Sequence, residues 1–202
     1  MKQLFLTLLL LHISIILFSQ EQKFNIYAGV GFGIYGGSTN DPNDKDTTSV
    51  DAGCGIIHLS ADYMIKENIY SGLMFERNGF LTDTGSTDHA FSINIAWTAS
   101  YKLHGEKNSL VISIMPGYSL IKYQNGSSGN FVEGNGIVFQ AAIQWDHFYT
   151  KHIGMFIQPA FASYSYTKLT DESGNISKNA NGDYFKLNLY GMNLKIGLVV
   201  KF

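Results

Sequence analysis

Ala90-Phe91-Ser92-Ile93-Asn94-Ile95-Ala96-Trp97-Thr98-Ala99-Ser100-Tyr101-Lys102-Leu103 is the stretch on which the reading of the chain turns. Phe91, Ile93, Ile95, Trp97, Ala99, Tyr101 and Leu103 hold one parity, and Ser92, Asn94, Ala96, Thr98, Ser100 and Lys102 hold the other. A period of two sends successive side chains to opposite faces of a β-strand. Sustained this far, it predicts a strand much longer than the usual length of about five or six residues.

The pattern repeats at both ends. Phe24, Ile26, Ala28, Val30, Phe32 and Ile34 alternate with Asn25, Tyr27, Gly29, Gly31, Gly33 and Tyr35, and Tyr190 to Phe202 alternate in the same way. Val50–Ile65, Ile69–Phe80, Ser109–Tyr123, Gly136–Asp146 and His152–Lys168 complete a set of eight strands. Their connections alternate in length. Lys66–Asn68, His104–Asn108 and His147–Lys151 are short; Ser38–Ser49, Leu81–His89, Gln124–Asn135 and Leu169–Asp183 are long and rich in Asn, Asp, Gly, Ser and Thr. An even number of alternating strands, with short turns at one end and long loops at the other, predicts an all-β fold: an eight-stranded antiparallel up-and-down transmembrane β-barrel.

Composition agrees. Charged residues make up 15% of the 202, against about 25% in soluble domains. With a net charge of −2 and Arg77 as the sole arginine, the chain has no electrostatic footprint for nucleic acid. Met1-Lys2-Gln3 followed by the apolar run Leu4–Phe18 reads as a secretory signal peptide over residues 1–19, leaving 20–202 as the barrel domain. Cys54, the single cysteine, is read as a packed side chain.

Alternation alone does not say which face points inward, because a soluble lipocalin-like barrel alternates too, with its apolar face around a ligand cavity. Aromatic height discriminates. Phe24, Tyr63, Tyr101, Trp145 and Phe202 share the apolar face near the short turns, and Phe32, Phe75, Phe91, Tyr118, Phe161 and Tyr190 share it near the long loops. The two girdles are roughly 21 to 26 Å apart for tilted strands, matching a lipid-facing band of about 25 Å.

The opening strand Asn25-Ile26-Tyr27-Ala28-Gly29-Val30-Gly31-Phe32-Gly33 and the closing strand Leu194–Phe202, with its terminal aromatic, resemble the small outer-membrane β-barrels of the OmpA/OmpX-like group and of the barrel families common in Bacteroidetes. The resemblance implies residence in the cell outer membrane, contact with outer-membrane lipid and a monomeric state. It also implies insertion by the barrel assembly machinery through the C-terminal signal. Some such barrels are relatives of a secretion and gliding component, and an eight-stranded family that deacylates lipid A also resembles this pattern.

The inward parity collects Asp62, Glu76 and Asp146 with Lys102, Lys195 and Lys201, together with His58, Ser60, Asn94, Gln140, Gln144, Gln158 and Asn193. Side chains just fill a barrel of this size, so these groups form an interior polar plug. If the hairpin centred on Glu67 is symmetric, His58 faces Glu76, with Ser60 two residues along the same face. Ser, His and a carboxylate are the constituents of a hydrolase site, making His58, Glu76 and Ser60 the candidate catalytic residues; their inward placement favours a satisfied pair. Pro116 and Pro159 fall within strands and predict local breaks or bulges. Asp41-Pro42-Asn43-Asp44-Lys45-Asp46 lacks the Gly and distal Glu of a calcium loop, and the His147/His152 turn pair has no close ligand spacing. Gly29, Gly31 and Gly33 precede no helix that would hold a phosphate. No metal or cofactor is expected. The expected role is non-enzymatic: structural, or surface interaction through long acidic loops with an extracellular ligand. A lipid-modifying hydrolase, a porin-like passage for a small or hydrophobic solute and a secretion-associated barrel stay open as alternatives.

Overall fold

The structure, a computed structural model, describes residues 23–40, 48–81, 89–124, 131–171, 173–178 and 181–202. The expected signal segment 1–19 lies outside these residues, as do the loop acids Asp41, Asp44, Asp46, Asp83, Asp88 and Glu172.

Eight antiparallel strands form one closed barrel: β1 (Phe24–Thr39), β2 (Thr48–Lys66), β3 (Ile69–Phe80), β4 (His89–His104), β5 (Asn108–Gln124), β6 (Phe131–Phe148), β7 (Ile153–Asp171) and β8 (Leu187–Lys201). Each pairs with its sequence neighbours, and β1 closes on β8 from Asn25↔Lys201 to Thr39↔Leu187. The seam is finished by reciprocal backbone bonds, Phe24 N–H to Phe202 O at 3.2 Å and Phe202 N–H to Phe24 O at 2.8 Å. Closure leaves no unpaired sheet edge to satisfy, the condition for a sheet to stand in hydrocarbon.

Several strands run past their sequence-based limits at the loop end. β6 begins at Phe131 instead of Gly136, and β8 at Leu187 instead of Tyr190. The polar, glycine-rich Phe131–Asn135 reads as loop by composition, yet it pairs with both β5 and β7 as the wall rises beyond the apolar band.

The parity assignment sorts the side chains cleanly. Outward apolar residues remain exposed, among them Phe32 at 58%, Ile95 at 54% and Leu198 at 60%, whereas inward Asn94, Glu76, Gln140 and Lys195 are at 0%. Of the girdle residues, Tyr63, Tyr101, Trp145, Phe32, Phe75, Tyr118, Phe161 and Tyr190 are exposed on the outer wall, and Phe24, Phe91 and Phe202 partly so. Polar groups on that wall satisfy one another: Trp97 Nε1–H donates to Ser71 Oγ at 2.6 Å, and Ser165 Oγ–H donates to Asn188 Oδ1 at 2.8 Å.

The two prolines interrupt one ladder each without shifting register. Pairing of β4 with β5 stops at Ala96↔Gly117 and resumes at Ala99↔Ile114, and pairing of β6 with β7 stops at Ala142↔Ala160 and resumes at Trp145↔Ile157. On their other sides Pro116↔Phe139 and Pro159↔Leu194 remain in continuous register. These are breaks, since a proline has no N–H for the ladder. Register shifts occur elsewhere, between Met64 and Lys66 on β2 and between Asn135 and Gly136 on β6.

Candidate functional site

The lumen is layered along the barrel axis. Its middle is organised around Glu76. The hairpin register sets His58 opposite Glu76, and His58 Nδ1 lies 2.9 Å from Glu76 Oε1. Lys195 of β8 donates to the same oxygen at 2.6 Å, and Gln140 of β6 donates through Nε2 to Oε2 at 2.6 Å. Lys195 Nζ also donates to Gln140 Oε1 at 3.0 Å. Four strands thus converge on one carboxylate. Burying an unpaired charge is very costly, and the hydrogen bonds around Glu76 and Lys195 are what make their burial tolerable.

Toward the short turns lies a second cluster with a different logic. Lys102 donates to the Tyr27 hydroxyl, with its ammonium 4.3 Å from the Tyr70 ring centroid and 5.0 Å from that of Tyr27. Tyr27 in turn donates to Asp146 Oδ2 at 3.5 Å. Asp146 also accepts from Gln144 Nε2 at 2.6 Å, Gln158 donates to Gln144 Oε1 at 2.7 Å, and Asp62 accepts from Thr98 at 2.6 Å. Here charge is compensated through a phenol and two rings instead of a direct ion pair. Lys201 stands apart. It is partly exposed at the turn-end rim, 5.5 Å from the Phe148 ring centroid, in a cavity of about 590 Å³ shared with Tyr70 and His104. Nearby, His147 Nδ1 is 2.8 Å from Asn108 Oδ1 and His152 Nδ1 is 2.9 Å from the Lys201 carbonyl, so the two turn histidines are engaged separately.

His58 Nε2 is 3.1 Å from Ser60 Oγ, so Ser60, His58 and Glu76 are connected in the order of a hydrolase triad. The void that Ser60 and His58 share with Tyr27, Thr98 and Gln144 measures about 10 Å³, which is at most the room one water needs. No acyl group fits beside Ser60 Oγ, and Glu76 is committed to Lys195 as well as to His58. Chemically the set stores and orients charge in a packed interior.

Sequence reasoning missed the loop-end half of the lumen. The inward residues there are apolar or aromatic: Tyr35, Cys54, Ile56, Ile121, Val138, Ala162, Tyr164, Tyr166, Leu169 and Leu189 form one buried cluster. The signal was present in tyrosines at the otherwise polar parity. Above that cluster opens a cavity of about 550 Å³ walled by residues including Phe80, Leu81, Val132, Phe185 and Leu187.

Set against solved structures, the barrel superposes on the outer-membrane protein OprG from Pseudomonas aeruginosa with a TM-score of 0.63 at 12% identity, covering 91% of this chain and 97% of that one. Neisserial surface protein A gives 0.58 at 12% identity, covering 89% and 97%. The fold is that of the outer-membrane β-barrels. A major outer-membrane protein from Thermus thermophilus gives 0.50 at 10% identity over 86% of this chain and 99% of that one. No family model matches the sequence, and no curated protein matches it. At these identities the likeness reaches the fold alone.

Proposed function

We propose that the chain is a non-enzymatic, axially closed outer-membrane barrel with a structural or surface-interaction role exercised from its loop end. The observation that carries this reading is the fully buried Glu76–Lys195–Gln140–His58 network, which four strands send into the lumen. A porin needs a water-filled interior, which a packed eight-stranded barrel lacks. What remains available is the outside of the wall, which meets lipid, and the two mouths. Continuous pairing around the ring supports a monomer surrounded by outer-membrane lipid. The alternation of the closing strand β8 supports handling by the barrel assembly machinery.

The long acidic loops are the surface offered to an extracellular ligand. Among their described acids, Glu133 and Asp183 are exposed, whereas Asp171 Oδ1 accepts the Ser173 and Asn175 N–H groups at 2.9 Å each and builds its own turn. The test is reconstitution into a planar bilayer together with protease digestion of intact cells. The expected result is an absence of stepwise current with cleavage confined to the long loops. Resolved channel openings by the unmodified protein would overturn it. The hydrolase reading is favoured by one observation, the Ser60–His58–Glu76 connectivity, and opposed by the void of about 10 Å³.

A further inference from the structure

We infer that the loop-end cavity is a binding site for an uncharged small molecule carrying an alkyl or aromatic body, which enters from the outside and stops at a tyrosine floor. The inference rests on the axially closed reading above and names the ligand class for the loop end.

The cavity of about 550 Å³ lies within the range of about 300–1,000 Å³ typical of small-molecule sites. Val50, Phe80, Leu81, Val132, Leu187 and Leu189 contribute to its walls from β2, β3, β6, β8 and their approaches. This is opposite to what a water-facing barrel mouth requires, since exposed contiguous apolar surface is disfavoured unless something covers it. The floor is apolar for a specific reason. Tyr35 and Tyr164 meet edge to face at 5.5 Å, and Tyr164 and Tyr166 stack at 6.4 Å. Their hydroxyls are engaged by buried polar side chains: Tyr164 accepts from Asn78 Nδ2 at 3.0 Å, Tyr35 accepts from Asn193 Nδ2 at 3.4 Å, and Tyr166 is 2.7 Å from Ser119 Oγ. The phenols thus engage Asn78, Asn193 and Ser119 on the polar side and contribute rings to the boundary of the apolar cluster.

The chain has little with which to fill the cavity itself. Three of the segments joining the strands at this end read Asp41-Pro-Asn-Asp-Lys-Asp-Thr47, Thr82-Asp-Thr-Gly-Ser-Thr-Asp88 and Asn125-Gly-Ser-Ser-Gly-Asn130, with no apolar side chain larger than proline. The fourth already contributes Phe185 to the lining. An occupant of matching chemistry must come from elsewhere. Among the described residues the lining holds no cation to pair with a fatty carboxylate or a phosphorylated lipid, which favours an uncharged molecule.

The test is photolabelling of the full barrel in lipid nanodiscs with a long-chain alcohol bearing a diazirine, followed by peptide mapping. The expected result is saturable adducts on Phe80, Leu81, Val132 and Leu187, abolished by excess unlabelled long-chain alcohol and by Ala90→Trp, which fills the cavity from one wall. Adducts on the lipid-facing wall at Ile137 and Phe139 serve as a non-saturable control, unchanged by Ala90→Trp. Labelling confined to that wall, or cavity adducts indifferent to Ala90→Trp, would each overturn the inference. Ala90→Gly, which keeps the cavity open, must retain labelling, separating blockage from misfolding. Channel activity would defeat the closed-barrel reading without removing the adducts, so the two failures are distinguishable.

Discussion

Lys195 Nζ and Glu76 Oε1 meet at 2.6 Å with both side chains at 0% exposure, joining strands β8 and β3 across the lumen. Removing one partner strands the other charge in the interior, which costs about 3–5 kcal/mol, whereas neutralising both removes the need for either. Lys195→Met and Glu76→Gln singly are therefore expected to lower the denaturant midpoint in refolding from urea into lipid vesicles. The double variant is expected to recover most of the loss. Additive losses would show that the pair does not act as a unit.

The Ser60–His58–Glu76 connectivity has a chemical readout. Overproduction of the protein is expected to leave the lipid A mass spectrum unchanged, with His58→Ala indistinguishable from the parent. New acyl-loss species that vanish in His58→Ala would instead establish a hydrolase opening to lipid.

The proline breaks make the seams at Trp97/Thr98 and Ile143/Gln144 the weak lines of the wall. Restoring a donor with Pro116→Val or Pro159→Val is expected to slow amide hydrogen exchange in the flanking residues, each added hydrogen bond contributing about 0.5–1.5 kcal/mol. Unchanged exchange in both variants would mean that the seams are held by side-chain packing.

Close approach of β1 to β8 is set by glycine. A Cβ on Gly29 would fall 2.5 Å from the Ile196 carbonyl oxygen and 2.9 Å from Phe156 Cζ, while one on outward Gly55 meets nothing within 4 Å. Gly29→Ala is expected to cost about 1–3 kcal/mol through overpacking, and Gly55→Ala almost nothing. Comparison of refolded fractions by heat-modifiable gel migration reads the difference.

The lipid-facing assignment is tested by charge at two depths. Ile95, midway between Phe91 and Tyr101 on β4, is expected to lose about 2–4 kcal/mol on replacement by Lys, and Leu103, at the turn-end rim, only about 0–1 kcal/mol. Equal penalties, measured by vesicle refolding, would argue that this face does not lie across a bilayer.

How much of this was legible depended on contrast between neighbouring residues. The Ala90–Leu103 alternation set strand, face and register together, and the hairpin symmetry about Glu67 placed His58 opposite Glu76 from the sequence alone. Where both parities are apolar, as in Ile56-Ile57 and Leu120-Ile121, alternation falls silent, and the inward Ile56 and Ile121 went unread as parts of an apolar upper lumen. The partners of Lys102 were hidden for another reason. Tyr27 lies 75 residues away in sequence, and its role as intermediary to Asp146 follows only from barrel closure. Strand ends were blurred because Gly and Asn in Phe131–Asn135 carry loop composition while their backbone pairs on both sides.

Among the described residues, the tyrosine floor and the Glu76 network divide the interior into two chambers, one open at the loop end and one at the turn end. On the closed-barrel reading proposed above, any coupling between the two mouths would have to travel as displacement of Tyr164 against Asn78 and of the strands that bear them.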